Sequence, residues 1–220
     1  MKPELLIFDL DDTLYPPHTG VWNEIGDRIN HFMQNRLNLP PDQVASLRDD
    51  LYHQYGTTLR GLQLLFGIDA REYLDYVHDL PVQQFLAPNP TLRRSLLALP
   101  IRKAIFTNGD RAHAQRVIGA LGLADCFDQI IDVVDVSPYC KPMVEAFRLA
   151  FEKLGVQDPA RCVLFEDSPR NIQTAHSLGL YTVLVGKNGS SPLAHGKIHA
   201  INGLLDLFDE QFNLRMTRSG

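Results

Sequence analysis

Leu5-Leu6-Ile7-Phe8-Asp9-Leu10-Asp11-Asp12-Thr13 joins a short apolar run directly to a cluster of carboxylates. A continuous apolar run of this length, bounded by polar residues, is the pattern of a strand buried on both faces, as in a parallel sheet. The same join recurs twice. Lys103-Ala104-Ile105-Phe106 leads into Thr107-Asn108-Gly109-Asp110, and Cys162-Val163-Leu164-Phe165 leads into Glu166-Asp167-Ser168. Residues 181–185 form a fourth apolar run and residues 129–134 a weaker fifth.

Helical patterns lie between these runs. Residues 111–121 place Ala114, Val117, Ile118 and Leu121 on one face, with Gly122 as the stop. Residues 142–154 repeat the pattern with Val144, Phe147, Leu149, Phe151 and Leu154, Pro142 in the first turn and Gly155 just beyond. Residues 169–178 do so again, closing at Gly179. Strands alternating with helices predict an α/β fold, a Rossmann-like doubly wound parallel sheet covered on both faces.

Residues 21–80 break that rhythm. Val21, Ile25, Ile29 and Phe32 fall at helical spacing, which assigns Trp22 and Phe32 to the packed side. Val44, Leu47, Leu51 and Tyr55 repeat the spacing after Pro40-Pro41, and two shorter helical patterns follow without a strand. The reading is an all-helical domain, 16–90, inserted into a core built from 1–15 and 91–220. Residues 214–220 read as a frayed tail.

The bulk numbers exclude several classes. Over 220 residues, 45% apolar and 21% charged composition is that of an ordinary globular chain. A formal net charge of -5 argues against wrapping a nucleic acid polymer. Three cysteines without C-x-x-C spacing argue against a disulfide scaffold or a structural zinc site. The apolar run at 5–8 is too short for a signal peptide or membrane span, so a cytoplasmic location is expected. The eight histidines show no ligand-like grouping, and none receives a role.

In an open parallel sheet, ligands sit beyond the carboxyl ends of the strands. The three polar clusters therefore converge at one edge. Asp9, Asp11, Glu166 and Asp167 would repel one another there unless a cation sat among them, and oxygen ligands suit Mg²⁺. Thr107, Asn108 and Lys141 are candidates for holding phosphate oxygens. Carboxylates, a hard cation and phosphate donors together are the equipment of phosphoryl transfer.

The series Asp9-x-Asp11-x-Thr13, strand-end Thr107, Lys141 and the acidic pair Glu166-Asp167, in that order, resembles the four motifs of the haloacid dehalogenase superfamily. The helical insertion resembles its type 1 cap. The resemblance implies that Asp9 attacks phosphorus to form an aspartyl-phosphate, and that Asp11 serves first as acid, then as base. It implies that Thr107 and Lys141 bind the phosphoryl group, and that Mg²⁺ is held by Asp9, the Asp11 carbonyl and Asp167, with Glu166 assisting. Asp11 also favours phosphate esters over carbon–halogen substrates, because the superfamily's dehalogenases lack this second aspartate. Ser168-Pro169-Arg170-Asn171 departs from the common pattern, and the role of Asn171 stays open.

Residues 52–62 of the insertion, with Asp12–Pro16 and Cys140-Lys141-Pro142, are similar to the pyrimidine 5'-nucleotidase branch. That similarity implies Tyr55 stacking on a base and Arg60 reaching a carbonyl or second charge. The expected substrate is a small phosphorylated metabolite, such as a pyrimidine nucleoside 5'-monophosphate. The alternatives are a sugar phosphate, or phosphate binding without turnover.

Overall fold

The first apolar run forms β1 (Leu5–Phe8) at the middle of a six-stranded sheet, buried along its whole length. It pairs in parallel with β2 (Arg102–Phe106) on one side and β4 (Cys162–Glu166) on the other. The order is completed by β3 (Gln129–Ile131) outside β2, and by β5 (Tyr181–Val185) and β6 (Gly196–Ile198) beyond β4. All pairings are parallel. The computed structural model describes residues 2–186 and 190–212; the tail expected at 214–220 lies outside them.

Because side chains alternate across a strand, the apolar runs feed two cores at once. Leu6, Phe8, Ile105, Val163 and Phe165 enter one core with helices α5 (Pro90–Ala98), α6 (Arg111–Ala120) and α9 (Leu204–Phe212). Leu5, Ile7, Ala104, Phe106 and Leu164 enter the other, with α7 (Val144–Leu154) and α8 (Pro169–Ser177). Phe8 and Phe165 stack with ring centroids 4.6 Å apart, and each fully buried ring contributes about 1.5–3 kcal/mol.

Residues between β1 and β2 hold α1 (Val21–Leu37), α2 (Pro41–Tyr55), α3 (Thr58–Phe66) and α4 (Ala70–Val77), with no strand among them. This helical region shares the first core: Ile25, Ile29, Phe32, Leu51, Leu62 and Val77 are continuous with the sheet side chains. No helix among the described residues is long and apolar enough to cross a membrane.

Several expectations need correction. Trp22 is 41% exposed rather than packed, because it falls one position off the Val21–Ile25–Ile29 stripe. The strand expected over 129–134 ends at Ile131: the Asp132 carboxylate accepts from Asp135 N–H and turns the chain, leaving Val134 exposed. Helix α7 begins at Val144, not at Pro142, with Met143 still extended at its N-cap. It packs through the small Ala146 and Ala150 beside Phe147, Phe151 and Leu154, with Leu149 half-buried against the same core. Three elements escaped the sequence reading, α5, β6 and α9. Of these, β6 is a three-residue edge strand with only Ile198 buried, too short to show a period.

Candidate active site

The strand order reverses at β1, so the loops after β1 and β4 diverge and open a crevice at the carboxyl edge. Asp9 extends the β1 ladder by one residue, its N–H donating to Phe165 O at 2.9 Å. The chain then turns, with Thr13 and Leu14 N–H both reaching Leu10 O and Asp12 at a positive φ of 60°. An aspartate tolerates that left-handed conformation better than most residues. The turn lets Asp9 and Asp11 face the same crevice from one short loop.

After β2, Asp110 N-caps α6 by accepting from His113 N–H at 2.7 Å. After β4, Pro169 opens α8 and leaves Glu166 and Asp167 at the crevice floor. Asp9, Glu166 and Asp167 each place a carboxylate oxygen within 4.8 Å of the others. Lys141 Nζ, 1% exposed, donates to Asp9 Oδ1 at 2.6 Å, Phe106 O at 2.8 Å and Glu166 Oε2 at 2.9 Å. All three ammonium protons are thus in use, and a phosphate oxygen would have to replace one of these acceptors. Thr13 Oγ1 donates to Asp167 Oδ1 at 3.3 Å.

One ammonium does not balance three carboxylates. Burial, then the charge of Glu166, pushes Asp9 up to about 7 in spite of Lys141. Burial, then Glu166 and Asp9, pushes Asp167 up to about 9. Burial would lower Lys141, but Asp9 and Glu166 overcome it and raise its pKa. A close set of oxygen donors with surplus negative charge fits a hard divalent cation.

Asp11 stands apart from that cluster. Its Oδ1 accepts from Tyr15 O–H at 2.5 Å and pairs with His113 Nε2 at 2.8 Å. Burial would raise Asp11, but the charge and hydrogen bond of His113, with the Tyr15 hydroxyl, bring it below the usual carboxylate range. Asp12 behaves oppositely: burial and the Asp11 charge raise it to about 6, and its Oδ1 is buried without a hydrogen-bond partner among the described residues.

Other predicted site residues take different positions. Thr107 is buried, its Oγ1 accepting from Gly109 N–H at 2.9 Å. Asn108 spends its amide on Lys141, accepting from Lys141 N–H at 2.9 Å and donating to Lys141 O at 3.0 Å. It orients the lysine through its oxygen and one amide proton; Asn108 also lines the crevice, where the second amide proton is free for a phosphate oxygen. Asn171 lines the crevice. Tyr55 and Arg60 do not. Tyr55 packs on the core with its carbonyl toward Cys140, and the Arg60 guanidinium donates to Pro138 O with its face over Tyr139. That segment grips the loop carrying Lys141.

Three residues of the site were missed: Tyr15, His78 and His113. His113 falls on the apolar face of α6, one helical turn before Val117, just after a strand-end polar loop. A histidine buried there was the available signal. The crevice is part of one cavity of about 590 Å³ that extends into the helical region, where Trp22, Arg48, Tyr52 and Tyr73 line it beside Ile25 and Leu74.

A family model described as haloacid dehalogenase-like hydrolase matches residues 3–179. Phosphate metabolism protein 8 of Saccharomyces cerevisiae is 29% identical over 195 residues, covering 82% of this chain; the chain spans 61% of that relative's length. Fructose-1-phosphate phosphatase YqaB of Escherichia coli is 28% identical over 192 residues, covering 81% of this chain and 94% of that protein. Among solved structures, the magnesium-bound HAD-hydrolase YfnB of Bacillus subtilis matches with a TM-score of 0.62 at 18% identity, covering 95% of this chain and 100% of that one.

Proposed function

The chain belongs to the haloacid dehalogenase-like hydrolases, and from that premise we propose that it is a magnesium-dependent phosphatase acting on a small sugar phosphate. The observation that carries the reading is the contrast between two neighbouring carboxylates. Asp9 sits against Lys141 in the acidic cluster, and Asp11 is held away from it by Tyr15 and His113. One fold position thus supplies a nucleophile and a separate proton carrier.

Asp9, Glu166 and Asp167, with the Asp11 carbonyl, would hold Mg²⁺, which when bound offsets the repulsion between carboxylates and phosphate. Lys141 orients Asp9 through one oxygen and leaves the other to form the bond to phosphorus. As that bond forms, the ester bond breaks and the leaving oxygen takes a proton from Asp11. An incoming phosphate dianion adds negative charge beside Asp11 and raises its pKa again, so that it can hold that proton. Water then attacks the phosphorus of the aspartyl-phosphate and passes a proton to Asp11, which frees Asp9 and phosphate.

The sugar-phosphate class is supported by the likeness to the fructose-1-phosphate phosphatase. A pyrimidine nucleotide is the second reading. Its support rests on Trp22 and Tyr52, which line the cavity, because Tyr55 and Arg60 lie elsewhere. The division into a core of 1–15 and 91–220 and a cap of 16–90 is part of the same proposal, with the cap shaping the leaving-group end.

The test is release of inorganic phosphate from fructose 1-phosphate and UMP, with Mg²⁺ and with EDTA. Turnover of the sugar ester that requires Mg²⁺ is expected, and Asp9→Asn should abolish it with the fold intact. Preference for UMP would replace the sugar by the nucleotide. Absence of turnover on either, with Mg²⁺ bound, would leave a phosphate-binding protein.

A further inference from the structure

Beneath the crevice, two histidine rings stack between a helix N-cap and a reactive carboxylate. We propose that His113 is a positioning residue for Asp11, fixing one carboxylate oxygen so that the other faces the leaving group; the proposal rests on the phosphatase reading above.

His113 is fully buried, and its Nε2 lies 2.8 Å from Asp11 Oδ1, the oxygen that also accepts from Tyr15 O–H. Two partners on one oxygen stop rotation of the carboxylate. Oδ2, which neither holds, is then aimed at a defined place, and a proton carrier misplaced by about 1 Å can lose two orders of magnitude in rate. His113 Nδ1 is buried without a hydrogen-bond partner among the described residues. Among the described residues, Nε2 is therefore the ring nitrogen that reaches a protein partner, and that partner is Asp11. A histidine kept only for packing would be expected to satisfy both nitrogens inside the core.

The ring is itself held in place. His113 N–H donates to Asp110 Oδ1, the other Asp110 oxygen pairs with His78 Nδ1 at 2.5 Å, and the His78 ring lies on His113 at 4.4 Å and 12°. Arg116 donates to His78 O at 2.8 Å and fixes that residue in turn. Gly109 leaves the space for the pair: a Cβ there would lie 3.2 Å from His113 Cδ2 and 3.6 Å from His78 Cε1. His78 follows α4 in the helical region and Asp110 follows β2, so this stack spans the two parts of the chain.

The experiment compares kcat/KM for phenyl phosphate and 2,4-dinitrophenyl phosphate with Mg²⁺. This constant reports the step in which the ester bond breaks, and only the phenolate leaving group needs a proton. His113→Leu should lose on the order of 10²-fold on phenyl phosphate and less than about tenfold on the dinitrophenyl ester. His113→Gln, whose amide can donate to the same oxygen, should recover part of the loss. Equal losses on both esters, or no loss on phenyl phosphate, would overturn the positioning role. Should His113→Leu not fold, Gly109→Ala, whose methyl presses hardest on the His113 ring and also meets Thr107 Oγ1 at 3.4 Å, must lose more on phenyl phosphate than on the dinitrophenyl ester, or the proposal fails. Failure of the wild-type protein to turn over either ester would sink the phosphatase reading, and the proposal with it; wild-type turnover with uniform losses in the variants would sink the positioning alone.

Discussion

Asp9 and Lys141, 132 positions apart in the chain, meet at 2.6 Å with the lysine 1% exposed. Asn108 fixes the Lys141 backbone from both sides and the Phe106 carbonyl takes another ammonium proton, so the lysine has little freedom to leave. A buried pair of this kind adds little stability over an apolar one, but breaking it strands a charge.

Lys141→Met should therefore cost about 3–5 kcal/mol of stability, because Asp9 and Glu166 lose the ammonium between them. Added Mg²⁺ should recover part of that loss by supplying the missing charge. Thermal melts of the variant in EDTA and in Mg²⁺ check this; a melting temperature that ignores the metal would contradict the shared site.

The metal-free protein should lose stability as pH rises from about 4 to about 9. Asp9 and Asp167 are raised to about 7 and about 9, so over this range the folded state binds more protons than the unfolded state, whose carboxylates titrate near 4. The destabilisation is absent below the unfolded pKa and complete above the folded ones. Asp167→Asn should flatten the fall of melting temperature with pH in EDTA, and saturating Mg²⁺ should flatten it in the wild type. Equal slopes in variant and wild type would refute the shared repulsion.

Asp110 predicts the opposite slope at acid pH. Burial would raise its pKa, but the hydrogen bond and charge of His78, with the His113 amide, take it down to about 2. Its contribution is present above the unfolded pKa near 4 and is lost as pH falls toward 2. Asp110→Ala removes both the α6 N-cap and the His78 partner and should cost about 1–3 kcal/mol near neutrality. In the variant, this part of the acid sensitivity should vanish, which denaturant titrations at pH 3 and pH 7 would measure.

Gly56→Ala should destabilise the protein and impair turnover together. The residue has a φ of 92°, and an added Cβ would lie 3.0 Å from Cys140 Sγ and 3.3 Å from Lys141 O. Strain of about 1 kcal/mol or more should fall on the loop that carries Lys141. A variant with wild-type stability and kcat would show that this loop accommodates the methyl group.

Legibility of the fold followed from local patterning. The Leu5–Phe8 run and its counterparts are uniformly apolar because both faces are covered, and a strand of that kind announces itself without neighbours. Edge strand β6 stayed hidden because one buried residue in three carries no periodicity. Trp22 was misplaced because one residue of helical rotation, about 100°, takes it off the buried Val21–Ile25–Ile29 stripe to a position 41% exposed.

What the sequence alone determined was the set of strand ends and their chemistry: carboxylates after β1 and β4, polar donors after β2, at one edge of a parallel sheet. That follows from topology, since parallel strands deliver every post-strand loop to the same side. Only the tertiary structure decided which partner each group takes. Hydrogen bonds across 102 and 132 residues, His113 to Asp11 and Lys141 to Asp9, depend on angstrom-scale placement of side chains that spacing along the chain does not encode. The same packing set Tyr55 against the core and turned Arg60 toward the Lys141 loop, neither of them lining the cavity, and brought His78 onto His113.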